Sequence, residues 1–296
     1  MTSRPVLHRL ASALLLAVST AAGANPAIIV KDASAKPAEA AALSVESLSA
    51  SAKGGNAEAQ YLLAERYGKG EGVAMDRHLA FQWYGAAAAQ GLAQAEHALA
   101  RYYNGQLGDK LDLHQALTLT TKAAEHGHAP AQVELGFLYF NGSGATPRHL
   151  PRSFHWFEKA ANNGAVVAQC MLGDFYRQGL GDVKQDYAKA LHWYRLTAIK
   201  DDKCASKSQF ELHRLYATGK GVTRDPAVAT RWLKKAAEAG NPAAQHALGR
   251  AYQAGDGVRP DPDLAKRWLA KSREGVAPHD EHRHDEEAAS GHGHAH

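Results

Sequence analysis

Three groups of residues in this chain are of types that could do chemistry. The stretch "YRQGLGDVKQDYAKALHWY" (176–194) sets Gly179 and Gly181 ahead of a run that reads as helix. A Gly-x-Gly loop entering a helix N-terminus can cradle a phosphate, because backbone N–H groups and the helix dipole converge there. Residues 279–296, "HDEHRHDEEAASGHGHAH", hold His279, His282, His284, His292, His294 and His296 among five carboxylates. Imidazole with carboxylate suits Zn²⁺, Ni²⁺ or Cu²⁺, and a polar chain can wrap an ion without a preformed site. Cys170 and Cys204 are the only cysteines. They could form a disulfide in an oxidising compartment, or sit apart as small core residues, since an offset of six positions along parallel helices strains bonding reach. No G-x-S-x-G, S-x-x-K or H-E-x-x-H sequence occurs, so no catalytic residue is assigned.

The ends of the chain differ from its body. Residues 1–24 carry Arg4 and Arg9, an apolar run from Leu10 to Val18, and the small triplet Ala22-Gly23-Ala24. That pattern reads as a secretory signal cleaved near Ala24, which predicts export, in a Gram-negative cell to the periplasm. The apolar run is about half the length that spans a bilayer, and no later segment is long enough, so no membrane span is expected. Without residues 1–24 the chain has 32 basic against 30 acidic residues, and the last 18 residues hold one Arg and five acids. The body is therefore mildly basic and the tail acidic, a balance that does not point to nucleic acid.

The elements that position these residues emerge from self-comparison. Beside the stretch at 176 lie "YGKGEGVAMDRHLAFQWY" (67–84), "YFNGSGATPRHLPRSFHWF" (139–157), "YATGKGVTRDPAVATRWL" (216–233) and "YQAGDGVRPDPDLAKRWL" (252–269), with "YNGQLGDKLDLHQALTL" (103–119) a degenerate copy. The anchor tyrosines Tyr67, Tyr103, Tyr139, Tyr176, Tyr216 and Tyr252 are spaced 36, 36, 37, 40 and 36 residues apart. All five tryptophans, Trp83, Trp156, Trp193, Trp232 and Trp268, occupy one position of the repeat, which Leu119 fills in the second copy. Since the glycine pair recurs in five of the six units, the turn reading prevails over a phosphate loop, which would occur once.

Each unit reads as two helices. The glycine pair ends the first, and an Asp caps the second: Asp76, Asp112, Asp186, Asp225 or Asp261. In the third unit His149 stands at that position, where Pro147 and Pro151 are expected to shift the helix start. Such a pair cannot bury its apolar stripe alone, so the units must stack. The organisation expected is a signal at 1–24, a linker at 25–39, a capping helix at 40–55, repeats at about 56–90, 91–126, 127–163, 164–203, 204–239 and 240–275, and a His-rich acidic tail at 276–296.

The pattern "AQxxLGxxYxxGxGVxxDxxxAxxWxxKAAxxG" resembles the Sel1-like repeat family, a branch of the tetratricopeptide-like superhelices. Units 1, 5 and 6 meet it nearly in full; unit 2 has Glu96 for Gln and Gln106 for the first turn Gly, and unit 4 ends "LTAIKD". The resemblance implies an all-α fold, a right-handed α/α superhelix, used as a protein-binding adaptor with no required cofactor. Some cysteine-rich secreted members have been discussed as β-lactamase-like, but two cysteines and no Ser-x-x-Lys give that weaker alternative little support. Their disulfide spacing does not carry over to Cys170 and Cys204.

By analogy with tetratricopeptide-like stacks, first helices line the concave face. The candidate partner-binding residues are then Tyr61, Glu65, His97, Arg101, Val133, Phe137, Phe140, Asp174, Arg177, Phe210, Arg214, His246 and Arg250. Aromatic anchors with a basic rim would suit an extended peptide or helix carrying acidic residues. The competing reading packs Phe137 and Phe210 between units. Function is expected to be that of an envelope adaptor binding another protein, with metal handling by the tail as the rival.

Overall fold

The computed structural model describes residues 44–274 apart from 108–110, 144–145 and 201. The signal, the linker and the tail with its six histidines lie outside the described residues. These contain thirteen helices and no strand, only two isolated bridges, Asn104 with Leu111 and Ser143 with Thr146. The helices are α1 (Val45–Lys53), α2 (Ala57–Lys69), α3 (Arg77–Ala88), α4 (Ala93–Tyr103), α5 (Leu113–Glu125), α6 (Ala129–Asn141), α7 (Leu150–Asn162), α8 (Val166–Gln178), α9 (Tyr187–Thr197), α10 (Lys203–Thr218), α11 (Pro226–Glu238), α12 (Pro242–Ala254) and α13 (Pro262–Glu274). Each packs chiefly on its neighbours in sequence, which makes an α-solenoid of six helix pairs with α1 covering the first.

Polar bonds fix the hinge of every pair. The cap side chain accepts from the backbone N–H three residues on, at 2.9 Å for Asp76, Asp186, Asp225 and Asp261 and 3.0 Å for Asp112. The cap's own N–H donates to the carbonyl of the anchor tyrosine, from Asp76 to Tyr67 at 2.9 Å through to Asp261 and Tyr252 at 3.0 Å. In the third unit the expected shift of helix start does not occur. His149 Nδ1 accepts from Arg152 N at 3.1 Å, its N–H reaches Tyr139 O at 2.7 Å, and α7 begins at the next residue as in the other units. A ring nitrogen replaces the carboxylate as acceptor, and Pro151 in the first helical turn gives up an N–H that would have no helical partner. In the degenerate second unit, Gly105 takes the positive φ of 79°, one position early, so α4 stops at Tyr103.

The glycine pair does two jobs. Gly179 adopts the left-handed conformation (φ 67°) that ends α8 and sends its N–H to Phe175 O at 2.8 Å. Gly181 lies where a Cβ would meet Leu150 Cβ at 2.9 Å, at the start of the preceding unit's second helix. The second glycine therefore lets one repeat lie against the one before it.

A third polar rule joins successive units. The side-chain amides of Gln60, Gln132, Gln169, Gln209 and Gln245 donate to carbonyls at the end of the previous second helix, those of Ala52, Ala124, Ala161, Ala198 and Ala237, at 2.8–3.3 Å. These are carbonyls that a helix C-terminus leaves without a partner. Buried alanines Ala87, Ala123, Ala160 and Ala236 fill the seam between helices, and the half-buried tryptophans close it.

Within a pair, the helices meet at a small residue. A Cβ on Gly173 would stand 2.6 Å from the Tyr194 ring. Gly173→Ala should therefore cost about 1–3 kcal/mol by overpacking, despite alanine's better helix propensity, and lower the Tm in a calorimetric scan. An unchanged or raised Tm would contradict this account of the pair.

Candidate partner-binding face

The first helices of successive repeats, α2, α4, α6, α8, α10 and α12, carry the residues singled out above, and the structure ties several of them together. At the junction of the fourth and fifth repeats a charged chain runs from α8 to α10. Asp174, only 6% exposed, accepts from the Tyr194 hydroxyl at 2.7 Å and pairs with Lys207. Arg177 Nε reaches the same hydroxyl at 3.3 Å and Glu211 Oε2 at 3.4 Å, and Arg214 Nη1 lies 3.3 Å from Glu211 Oε1. Burial and then the Asp174 charge push the Tyr194 phenol far up, so it remains a donor to that carboxylate. Burial opposes the Lys207 ammonium, but the Cys170 sulfur and the Asp174 carboxylate outweigh it and hold its pKa above the ordinary lysine value.

Sequence reasoning found Asp174, Arg177 and Arg214 but missed Lys207, Glu211 and Tyr194. The i,i+4 spacing of Lys207 and Glu211 was the available signal. It does not reveal that each would pair with a residue more than thirty positions earlier, on the first helix of the preceding repeat.

A second cluster joins α4 to α6. His97 Nε2 lies 2.8 Å from Glu134 Oε2, and the His128 ring stands 5.0 Å from that of His97. Beside it, His126 Nδ1 is 2.8 Å from Glu96 Oε2, so Glu96 finds a partner where the other units use Gln. In the first unit Glu65 accepts from Tyr84 and pairs with Lys69, while the Tyr61 ring tilts against Tyr84 at 5.8 Å. Burial, followed by the Glu65 charge, pushes the Tyr61 phenol up to about 12.

The apolar candidates are half-buried. Phe137 sets its edge against Phe157 at 5.0 Å, Phe140 against Phe175 at 5.9 Å, and Val133 packs on the same cluster. Phe210 stacks on His213 at 5.8 Å and packs on the cluster of α11 and α12. The structure thus makes all four part of inter-helix seams while leaving each some exposure. Arg101, Arg214, His246 and Arg250 are exposed. Arg250 borders a 450 Å³ hollow shared with Arg224, His213 and Asp256. Among the described residues no group of three His, Cys, Asp or Glu side chains is placed to hold a metal ion.

The Sel1 repeat family model matches residues 57–92, 93–128, 129–164, 166–202, 206–241 and 242–275. The chain belongs to the Sel1 repeat family. It is similar to the crystal structure of a Sel1 repeat protein from Oxalobacter formigenes, at 32% identity over 74% of this chain and 85% of that one, with a TM-score of 0.59. It is also similar to c5321, a protective antigen of uropathogenic Escherichia coli strains with the SLR fold, at 32% identity and TM-score 0.64. The match covers 78% of this chain but only 50% of c5321. No curated protein matches the chain.

Burial, with the neighbouring His97 adding to it, lowers His128 from 6.5 to about 4. The unfolded chain takes up that proton near 6.5 and the folded one resists it until about 4. Stability present above the unfolded value is therefore lost as pH falls through this window. Thermal melts between pH 7 and 4 should show a falling Tm, and His128→Asn should remove part of the fall; parallel curves would contradict the assignment.

Proposed function

We propose that the chain is a non-enzymatic adaptor that binds another protein or peptide through its first-helix face. Membership of the Sel1 repeat family supports a protein partner, since Sel1 repeat proteins generally mediate protein–protein interaction. The observation that carries the reading is the charged chain Lys207–Asp174–Tyr194–Arg177–Glu211–Arg214. Burying paired charges costs desolvation, and apolar residues of similar volume would serve the fold as well. The network instead holds cationic side chains in fixed positions on one face, so binding orders few rotamers. Exposed Arg101, Arg214 and Arg250 suit a partner carrying acidic residues.

The sequence of residues 1–24 supports a periplasmic setting, and no helix among the described residues is long and apolar enough to cross a membrane. Crosslinked pull-down from envelope extract is the direct test. Arg101→Glu with Arg250→Glu should cut capture at least about tenfold, which is what roughly 1.4 kcal/mol of binding supplies, and leave Tm nearly unchanged, since neither arginine belongs to the buried network. Undiminished capture by the folded double variant would refute the face.

A second reading rests on the tail. Its six histidines and five carboxylates favour association with Zn²⁺, Ni²⁺ or Cu²⁺. Calorimetry should find binding of about micromolar or tighter affinity in the full chain, lost on deleting residues 279–296. Absence of heat with all three ions would remove metal handling from consideration.

A further inference from the structure

Cys170 and Cys204 are both free thiols, the first buried in α8 and the second half-buried near the start of α10. Their offset of six positions in the repeat argued against reach. The structure resolves this through the long spacing of 40 residues between Tyr176 and Tyr216. The extra residues lengthen α10 to 16 residues, where α2, α6, α8 and α12 have 13, and the added turn lies before Gln209. That turn carries Cys204 four residues before Ser208, on the same face of α10, the face that meets Cys170. Around the pair, Ser208 Oγ lies 3.7 Å from Cys170 Sγ and 2.7 Å from Thr197 Oγ1, and Lys207 stands near both sulfurs.

We propose that Cys170 and Cys204 form a reversible disulfide clasp between the fourth and fifth repeats, made by exchange with a small-molecule disulfide. The half-buried Cys204 sulfur attacks one sulfur of the oxidant RS–SR. The S–S bond breaks, and the departing thiolate takes the Cys204 proton and leaves as RSH. Cys170 then attacks the Cys204 sulfur of the mixed disulfide, forming the protein S–S bond. The second RS group leaves with the electron pair and takes the Cys170 proton. Two protein thiols are oxidised and one small disulfide is reduced to two thiols, so atoms and electrons balance.

The surroundings favour the second step. Once Cys204 is held in the mixed disulfide, the Lys207 ammonium and the Ser208 hydroxyl remain beside Cys170 and favour its thiolate. Thiolate is the attacking form, so Cys170 is suited to resolve the mixed disulfide, while the half-buried Cys204 is the sulfur that a small oxidant can reach. The clasp would hold α8 against α10 beside the Asp174–Lys207 pair, at the junction where the charged face is anchored.

The test uses the full chain, incubated with oxidised glutathione and read by intact mass, maleimide labelling and non-reducing gel. The expected product is a monomer lighter by two hydrogen atoms, unreactive to maleimide, returned to the thiol form by dithiothreitol. Its Tm should rise by about 5–10 °C for a loop of this length. Cys170→Ser and Cys204→Ser should neither lose that mass nor gain that Tm. Retention of two reactive thiols in the natural chain under conditions that oxidise a control dithiol would overturn the proposal. So would accumulation of only glutathione adducts or disulfide-linked dimers. Neither result bears on partner capture, so the clasp and the adaptor reading stand or fall separately.

Discussion

In each repeat the cap residue's N–H donates to the carbonyl of the anchor tyrosine, and its side chain accepts from the first turn of the next helix. This pair of bonds fixes where the second helix begins and how it lies against the first. The direction of each tryptophan, the approach of the buried alanines and the placement of the next first helix follow from it. A solenoid has no central core to correct an error at one hinge, because each unit touches little beyond its neighbours. An error in angle at one cap would propagate to every later unit, which explains why polar bonds rather than apolar contact set the hinge. Apolar packing is non-directional, and a capped turn is not.

This also separates what was legible in the sequence from what was not. Asp caps, turn glycines and the Trp position act within one unit, through side-chain chemistry that local spacing exposes. His149 shows the limit: the sequence marks the position as abnormal, but that a ring nitrogen can take over the cap requires its geometry. The anchor glutamines were visible as a pattern, yet their partner is a carbonyl in the preceding unit. Pairs such as His97 with Glu134 and Lys207 with Asp174 depend on the register between helices of different repeats. A difference of one residue in spacing moves that register, and the sequence alone does not report it.

The half-buried aromatics carry both demands at once. Phe137 and Phe140 set their edges on rings of the next elements, so part of each supports stacking and part remains available on the surface. Altering them therefore mixes loss of stability with loss of binding. Exposed arginines report on recognition more cleanly, because their removal leaves no cavity.

Departures from the repeat's own rules gather where the fourth unit meets the fifth. The spacing lengthens there, α10 gains a turn, and the small residues that end other second helices give way to "LTAIKD". The anchor glutamines of these two units leave Gln169 Oε1 and Gln209 Oε1 buried without a partner. In the first and third units Gln90 and Asn163 donate to that oxygen. A buried acceptor without a partner costs about 1–3 kcal/mol, and a buried charge network adds its own desolvation cost. Neighbouring repeats show that the fold needs neither. A scaffold built from near-identical units can concentrate such costs at one junction while the others keep it folded. Local inconsistency of this kind marks where a structure serves something besides its own stability. On the adaptor reading proposed above, that junction is the one between α8 and α10, where the paired charges and the two thiols meet.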